Sequence, residues 1–152
     1  MSIFSSIRSS ASGLTAQRLR MDLISNNIAN AETTRTPEGG AYHRQQVIFA
    51  PKIVGRVPFF NLLRGDLARG NVPGLETQGI QPLAIVEDRA PTRLVYDPSH
   101  PDANPDGYVE YPNVNVVAEM TDMLSATRSY EANVTVLNAA KQMAQRALEI
   151  GR

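Results

Sequence analysis

The apolar residues near the start of the chain recur at intervals of seven. This interval keeps side chains on one face of an α-helix, and the apolar face that results needs a partner to cover it. The pattern predicts a helix from about Ser2 to about Asn30, with Ser2 as its N-cap. The apolar series on this helix consists of Ile7, Leu14, Met21 and Ile28.

A second and more regular series lies in the C-terminal part of the chain. Its members are separated by alternating steps of three and four, the heptad pattern typical of coiled coils. Thr127 and Lys141 are its polar members, and polar positions in such a seam can specify register or partner at some cost in stability. The pattern predicts a second long helix, capped at its start by Asn113 or Asn115. The other members are Val116, Met120, Met123, Tyr130, Val134, Leu137, Ala144 and Leu148.

The middle of the chain is rich in helix-breaking residues. All ten prolines and eight of the ten glycines lie between Pro37 and Pro112. Proline breaks helices and glycine weakens them, so short strands and turns are predicted here. Residues 97–106 contain three prolines and are predicted to form an irregular loop, which ends in an Asp106-Gly107 turn. The predicted strands span residues 42–50, 81–87, 92–96 and 107–111.

These elements predict an α+β fold in which two long terminal helices form a coiled-coil-like pair beside a small, turn-rich β domain. Helices of about 28 and 35 residues are roughly 42 and 52 Å long, whereas an 80-residue domain has a radius of gyration of only about 12 Å. The helices are therefore expected to reach beyond the middle domain. The predicted segments are an N-terminal assembly helix, a β-rich domain and a C-terminal assembly helix, at 1–31, 32–111 and 112–152.

The two apolar series together are the predicted assembly interface. Isolated helices in water are marginally stable, so these faces are expected to pack on each other and on neighbouring molecules. A head-to-tail contact that does not close would produce a helical tube. The same series would also suit a helical hairpin that packs its own two arms, and the residues alone leave both arrangements open.

Charge and composition exclude several classes of protein. The chain has 15 basic and 15 acidic residues, so the basic excess usual in nucleic-acid binders is absent. It has no cysteine, which excludes disulfides and thiolate metal sites. No apolar run approaches the roughly 18–20 residues that span a bilayer, so membrane insertion is not expected. Residues 1–20 also lack the apolar stretch of a secretory signal peptide, so any export from the cytosol is expected to use a route without a cleaved signal.

The N-terminal residues have a second interpretation. Arg8, Arg18 and Arg20 stand among many serines, with no acidic residue before Asp22. That composition also occurs in organellar transit peptides. The seven-residue spacing continues to Ile28, past any natural cleavage point, and favours a helix that is retained.

One cluster has residue types that catalysis or metal binding would use. Asp97, His100 and Asp102 could place an imidazole and two carboxylates together. The alternative is a proline-braced loop in which Asp97 forms an Asx turn before Pro98. No phosphate-binding glycine loop or nucleophile elbow accompanies the cluster. The prediction is that the chain has no catalytic residue, metal, cofactor or small-molecule substrate.

Two separate stretches resemble flagellar axial proteins. The run Asn26-Asn27-Ile28-Ala29-Asn30 resembles the signature shared by rod, hook and hook-associated proteins. The long link that follows, residues 33–42, is similar to that of C-type proximal rod subunits. The loop that contains Asp97, Pro98, His100, Pro101 and Asp102 resembles the same subtype. His43 departs from the pattern, because a lysine or arginine is expected there.

The resemblance implies a structural subunit of the proximal rod in the flagellar basal body, in the periplasm. It implies export by the flagellar type III machinery and polymerisation through the terminal helices into a hollow drive shaft that transmits torque. The implied partners are other rod subunits, the adaptor at the rod base and copies of the chain itself. Another axial subunit, or a coiled-coil adaptor that does not polymerise, remains the alternative.

The asparagines of the signature have a chemical role at a helix end. Asparagine tolerates left-handed backbone and forms hydrogen bonds between its side chain and nearby backbone groups. We hypothesise that Asn26, Asn27 and Asn30 stop the N-terminal helix and turn the chain toward the β domain. In this hypothesis Ile28 and Ala29 pack the turn.

Overall fold

The computed structural model describes residues 3–54 and 76–150, and it has an α+β architecture. Along the chain, two long terminal helices flank a middle region that contains two small antiparallel sheets. The predicted N-cap at Ser2 lies outside the described residues. In chain order the elements are α1 (Ile3–Ala29), β1 (Gln45–Val54), β2 (Glu76–Glu87), β3 (Arg93–Tyr96), β4 (Tyr108–Tyr111) and α2 (Val116–Ile150).

The start of α2 is capped by Asn115, one of the two predicted candidates. Its Oδ1 accepts hydrogen bonds from the backbone N–H groups of Val117 at 3.1 Å and Ala118 at 3.2 Å. These are donors of the first turn, which have no partner inside the helix. The carbonyl of Asn115 then accepts the first helical bond, from Glu119.

The two helices pack against each other in antiparallel orientation. Gly13 of α1 lies against the amide of Asn133, Met21 is in contact with Thr127, and Asn27 is hydrogen-bonded to Glu119. Residue numbers rise along one helix as they fall along the other. The first and last of these contacts are 14 residues apart on both helices, which is two heptads. The register is therefore the same at both ends of the contact.

Small side chains form the centre of this contact. Ala16, Ala126 and Ala140 are buried, and a Cβ added to Gly13 would lie 2.9 Å from the Asn133 amide nitrogen. The larger members of the predicted series flank the contact. Met120 and Leu148 remain 60% and 76% exposed, and Val116 is 39% exposed. The half-buried members are Ile7, Leu14, Met21, Ile28, Met123, Tyr130, Val134, Leu137 and Ala144.

At its closest approach to α1, α2 presents small and polar residues, although Met21 and Thr127 of the predicted series are also in contact. The observed series runs through Glu119, Ala126, Asn133 and Ala140, and the predicted series of large apolar residues lies beside it. The physical reason is distance, because small residues let two helices approach closely whereas methionine and leucine would hold them apart. Sequence periodicity identified both helices, and the use of the large apolar series in assembly stays a prediction.

The sheets are two separate two-stranded ribbons. In the β1–β2 ribbon the register shifts next to Phe49 and Pro51, close to the points where prolines enter the ladder. Proline has no N–H to donate, so it is tolerated at irregularities of this kind. The strands overlap all four predicted strands, and β2 starts earlier than residue 81. In the β3–β4 ribbon Tyr96 pairs with Tyr108.

The β1–β2 ribbon lies along α1. The backbone N–H of Ile80 donates to Ser12 Oγ at 3.1 Å, and Arg8 donates to the Gln78 side chain at 3.3 Å. Gly79, between them, has a φ of 85°, and an added Cβ would collide with Ser12. Glycine is needed here both for the left-handed backbone and for the close approach of strand to helix.

Within residues 3–54 and 76–150, neither helix combines the length and apolar character that a bilayer crossing demands.

The cap of α2 can be tested by substitution. Asn115→Ala removes the acceptor of two backbone N–H groups and is expected to lower the free energy of unfolding by about 1 kcal/mol. Urea denaturation followed by circular dichroism measures this change. Asn113→Ala is the matched control, because Asn113 is exposed and makes no hydrogen bond among the described residues. Equal effects of the two substitutions would contradict the assignment of Asn115 as the cap.

Candidate functional site

The amide of Asn27 is the most completely engaged polar group of the structure's described part. Asn27 lies in the last turn of α1 and is 1% exposed. Its Oδ1 accepts hydrogen bonds from the Tyr42 hydroxyl and the Gln45 backbone N–H, both at 2.9 Å. Its Nδ2 donates to the Gln45 carbonyl at 2.9 Å and to Glu119 Oε2 at 3.1 Å. All four hydrogen-bonding positions of the amide are thus occupied.

Glu119 brings a buried negative charge to the same point. It lies in the first turn of α2, is 1% exposed, and its Oε1 accepts from Arg44 Nε at 2.6 Å. The second guanidinium nitrogen of Arg44 is also 2.6 Å from Oε1, and it reaches Asp122 at 3.7 Å. A buried carboxylate needs this compensation, and the positive end of the helix dipole adds to it. Exposed His43 makes no such ion pair, so Arg44 is the basic residue that acts here.

These contacts define a polar junction, which consists of Asn27, Tyr42, Arg44, Gln45 and Glu119. It joins the end of α1, the link, the start of β1 and the start of α2. Partial burial raises the pKa of the Tyr42 phenol, and the negative charges of Glu119 and Glu87 raise it further. The arrangement holds four segments in a fixed relation and presents no reactive group.

The other two asparagines of the signature end α1. Asn30 Nδ2 donates to the Asn26 carbonyl at 2.9 Å and to Asn26 Oδ1 at 2.8 Å. Thr33 then donates from its backbone N–H to the Asn30 carbonyl at 3.1 Å. Among the described residues only glycines have positive φ, so the asparagines act through their side chains and do not use left-handed backbone. Ile28 is half-buried, whereas Ala29 is exposed and contributes little to the packing predicted for it.

The link after the motif folds back on itself and is tied to the proline-rich loop. Tyr42 N–H donates to the Thr33 carbonyl at 3.1 Å, which closes the link. Thr34 Oγ1 then donates to Asp102 Oδ2 at 2.8 Å, and Arg35 lies 3.9 Å from the same carboxylate. The two segments that resemble C-type rod subunits therefore contact each other.

The loop of residues 97–106 is built as a structural turn. Asp97 Oδ1 accepts from the Ser99 N–H at 3.1 Å and from its hydroxyl at 2.6 Å, an Asx turn that lowers the pKa of Asp97. His100 Nδ1 accepts from the Asp102 N–H at 3.1 Å, and its ring packs edge-on against Tyr111. Pro98 and Pro101 are exposed within it. No group of three metal-ligating side chains converges anywhere in the described ranges.

Sequence reasoning found the asparagine motif and missed its partners. Tyr42 and Arg44 fall within the predicted strand 42–50, and no local feature of the sequence marks Glu119 as buried. A signal was present in the spacing, because Glu119, Ala126, Asn133 and Ala140 are seven residues apart. The side chains of that series are polar or small, so a pattern based on large apolar residues does not include them.

Removing the central amide tests the junction. Asn27→Ala leaves Glu119 Oε2 and the Gln45 backbone groups without their buried partner, and we expect a loss of roughly 2–4 kcal/mol in the free energy of unfolding. Asn26→Ala is the control, since Asn26 is exposed and, within residues 3–54 and 76–150, its side chain accepts only from Asn30. A loss for Asn27→Ala no larger than that for Asn26→Ala, measured by chemical denaturation, would refute the central role of Asn27.

The raised pKa of Tyr42 predicts a pH dependence on the alkaline side. Because the pKa is higher in the folded state, the unfolded chain loses this proton first as pH rises. The contribution to stability is complete below a pH of about 10 and is lost as the pH rises through the folded pKa. In Tyr42→Phe, the free energy of unfolding should fall less steeply above that pH than in the unmodified chain. Parallel curves for the two proteins would contradict the expectation.

Comparison with known proteins gives the same assignment at both ends of the chain. A family model described as flagella basal body rod protein matches residues 7–35. A second, described as flagellar basal body rod FlgEFG protein C-terminal, matches residues 106–150. Asn27 and Glu119, the two buried members of the polar junction, lie in these two regions respectively.

Curated relatives match along the whole length. The flagellar basal-body rod protein FlgC of Borreliella burgdorferi is 49% identical over 99% of this chain and 98% of that protein. The FlgC protein of Bacillus subtilis is 44% identical over 100% of both, and that of Salmonella typhimurium is 38% identical over 93% of this chain and 92% of its own length. With identity above a third over nearly all of both sequences, the chain belongs to the FlgC family of flagellar basal-body rod proteins and is a structural subunit rather than an enzyme.

Proposed function

We propose that this rod protein polymerises through α1 and α2 into the hollow proximal rod, the drive shaft that transmits torque through the basal body. Its helices pair with each other in a coiled-coil-like manner and with the helices of neighbouring subunits. Its neighbours are copies of itself, other rod subunits and the adaptor at the rod base. It reaches the periplasm through the flagellar type III export machinery.

One observation carries the proposal of polymerisation. After α1 has packed on one side of α2, large apolar side chains remain exposed on other sides. Val117, Met120 and Leu124 are 73%, 60% and 53% exposed, and their spacing of three and four places them on one stripe. Val136 and Met143, seven residues apart, are 50% and 57% exposed. Extended apolar surface of this kind is typical of an interaction site.

The lengths of the helices support the same proposal. α1 has 27 residues and α2 has 35. The pairing of Gly13 with Asn133 and of Asn27 with Glu119 puts Ile3 near Met143, by extrapolation of the antiparallel register. The last turns of α2, with Leu148 76% exposed, then extend past α1 and are available to a neighbouring subunit.

The predicted assembly residues fall into two groups, which are half-buried and exposed in the single subunit. The half-buried members of the two series lie beside the helix contact, where a third helix would cover them. Met120 and Leu148 are the members that a neighbour must bury almost entirely. Burying a leucine or methionine side chain contributes about 1.5–3 kcal/mol. Several such residues for each subunit would offset the entropy that ordered assembly costs.

A double substitution tests the exposed stripe. We expect Met120→Ser with Leu124→Ser to abolish swimming and to yield basal bodies without a complete rod, in a strain whose only copy carries the change. Both side chains are exposed, so the unfolding free energy of the purified variant should change by no more than about 1 kcal/mol. Electron microscopy of isolated basal bodies and a motility assay are the measurements.

Asn138→Ala with Gln142→Ala is the matched control, because both residues are polar and exposed on the same helix. The control strain should swim normally. If the serine variant also builds complete rods, polymerisation through this stripe is wrong, and an adaptor that does not polymerise becomes the better description.

A further inference from the structure

The outer side of the β3–β4 ribbon carries an exposed aromatic surface. Leu94 and Tyr96 are exposed and flank half-buried Val95 along β3, and their cross-strand partners are Glu110 and Tyr108. Paired residues of an antiparallel ribbon project from the same side, so these four side chains share one surface. We refer to Leu94, Tyr96, Tyr108 and Glu110 as the tyrosine face. The three apolar members are 60%, 64% and 45% exposed, in chain order.

The fold itself does not require this surface to be aromatic. The opposite side of the ribbon supplies the packing, because Val109 is fully buried and Val95 is half-buried. Arg93 lies over the Tyr111 ring at 5.7 Å on that inner side. Within the described ranges neither hydroxyl of the tyrosine face has a hydrogen-bond partner. Both phenol groups are therefore free to bind another molecule.

The two rings are held in place although they are exposed. Tyr96 and Tyr108 pack edge to face, with ring centroids 5.3 Å apart and planes at 66°. Gly107 has a φ of 80°, and a Cβ added there would lie 2.9 Å from the Tyr96 ring and 3.5 Å from Pro98. Any other residue would be strained at this φ and would press on the ring. The turn and the proline-rich loop thus fix the orientation of Tyr96.

Rigid exposed tyrosines have the properties of binding hot spots. A tyrosine offers a large contact area and a hydrogen-bonding hydroxyl, and it is enriched among the residues that dominate interface energies. Side chains that are already ordered lose little entropy on binding. A pair of fixed, half-solvated tyrosines next to Leu94 is therefore suited to a protein partner.

The charge of the tyrosine face indicates which kind of partner it binds. Glu110 makes the tyrosine face acidic, and exposed Asp106 lies at the adjoining turn. The stretch of α1 from Ile3 to Met21 contains three arginines and no acidic residue. Arg18 and Arg20 lie on opposite sides of the helix, and exposed Asp22 follows Arg18 by one turn. Among the arginines, Arg18 is exposed and has no ion pair or hydrogen bond within the described residues. A guanidinium can stack on a tyrosine ring and pair with a carboxylate at once.

We propose that the tyrosine face binds the Arg18 side of α1 in a second copy of this chain, with Arg18 against Tyr96 and Tyr108 and paired to Glu110. The contact joins two different surfaces of identical subunits, so it is head-to-tail and generates an open helical array. This inference rests on the proposed function and names a lateral contact within it. The exposed stripe of α2 is a separate surface.

Charge exchange tests the pairing in assembled rods. Arg18→Glu and Glu110→Arg each place like charges together, and each is expected to lower the yield of complete rods by about tenfold or more, in line with loss of a hot spot. The double variant restores opposite charges and should recover most of the yield. Tyr96→Ser with Tyr108→Ser should reduce the yield as strongly. Leu83→Ser is the control, because Leu83 is 67% exposed on the other ribbon.

Crosslinking provides a second measurement on a clean background, since the chain has no cysteine. Thr15 lies one helical turn before Arg18, and Leu94 lies opposite Glu110. The double variant Thr15→Cys with Leu94→Cys therefore places a thiol near each charged group and leaves both charged groups unchanged. Oxidised basal bodies from this strain should contain disulfide-linked multimers of the chain. Leu94→Cys with Asn138→Cys is the mismatched control and should yield only monomers.

The outcomes separate this inference from the proposed function. If the tyrosine and charge variants assemble normally while the Met120 and Leu124 variant does not, the tyrosine contact is refuted and polymerisation through the helices stands. Loss of assembly in the tyrosine variant, without recovery on charge exchange and without crosslinked multimers, refutes α1 of a second copy as the partner. If no variant, including that of the α2 stripe, affects the rod, both proposals fail.

Discussion

The structure depends on one buried amide that must satisfy all of its hydrogen bonds. Asn27 is enclosed where α1, β1 and α2 meet, and an unpaired polar atom at that depth costs more than the bonds contribute. The amide can be satisfied only when Glu119 lies opposite it and Gln45 passes beside it. This requirement specifies the register of the two helices and the direction in which the chain enters the β region. The same register brings Gly13 to Asn133 two heptads away.

Small and large residues are divided between two tasks along α2. Alanines occupy the contact with α1 and let the helices approach, whereas Met120, Leu124 and Leu148 remain exposed. A monomeric protein would normally cover such residues. In a member of the FlgC family, a subunit that keeps part of its apolar surface for its neighbours is consistent with assembly into a rod. The internal contact thus includes polar and small groups, and several large apolar groups of α2 stay exposed.

The link and the proline-rich loop, the two segments that resemble C-type rod subunits, are structural supports. The long link closes through Thr33 and Tyr42, and Thr34 binds Asp102 of the proline-rich loop. That loop in turn orients Tyr96 through Pro98 and the Gly107 turn. Residues that resemble a metal or catalytic cluster by type are used here for turns and ring packing. Their arrangement positions a surface of the β3–β4 ribbon and offers no converging ligands in the described ranges.

Local sequence patterns predicted both terminal helices, segments that overlap all four strands, and the resemblance to an axial family. Helix periodicity, proline placement and turn residues are local signals, and an Asn motif is readable without its partners. The face of α2 that meets α1 and the bond from Asn27 to Glu119 could be identified only from the fold, because that bond joins residues 92 positions apart in the chain. Large apolar residues dominated the sequence pattern, yet close helix packing selected the small ones. No local sequence signal distinguishes an apolar residue that packs within the subunit from one that packs against another subunit.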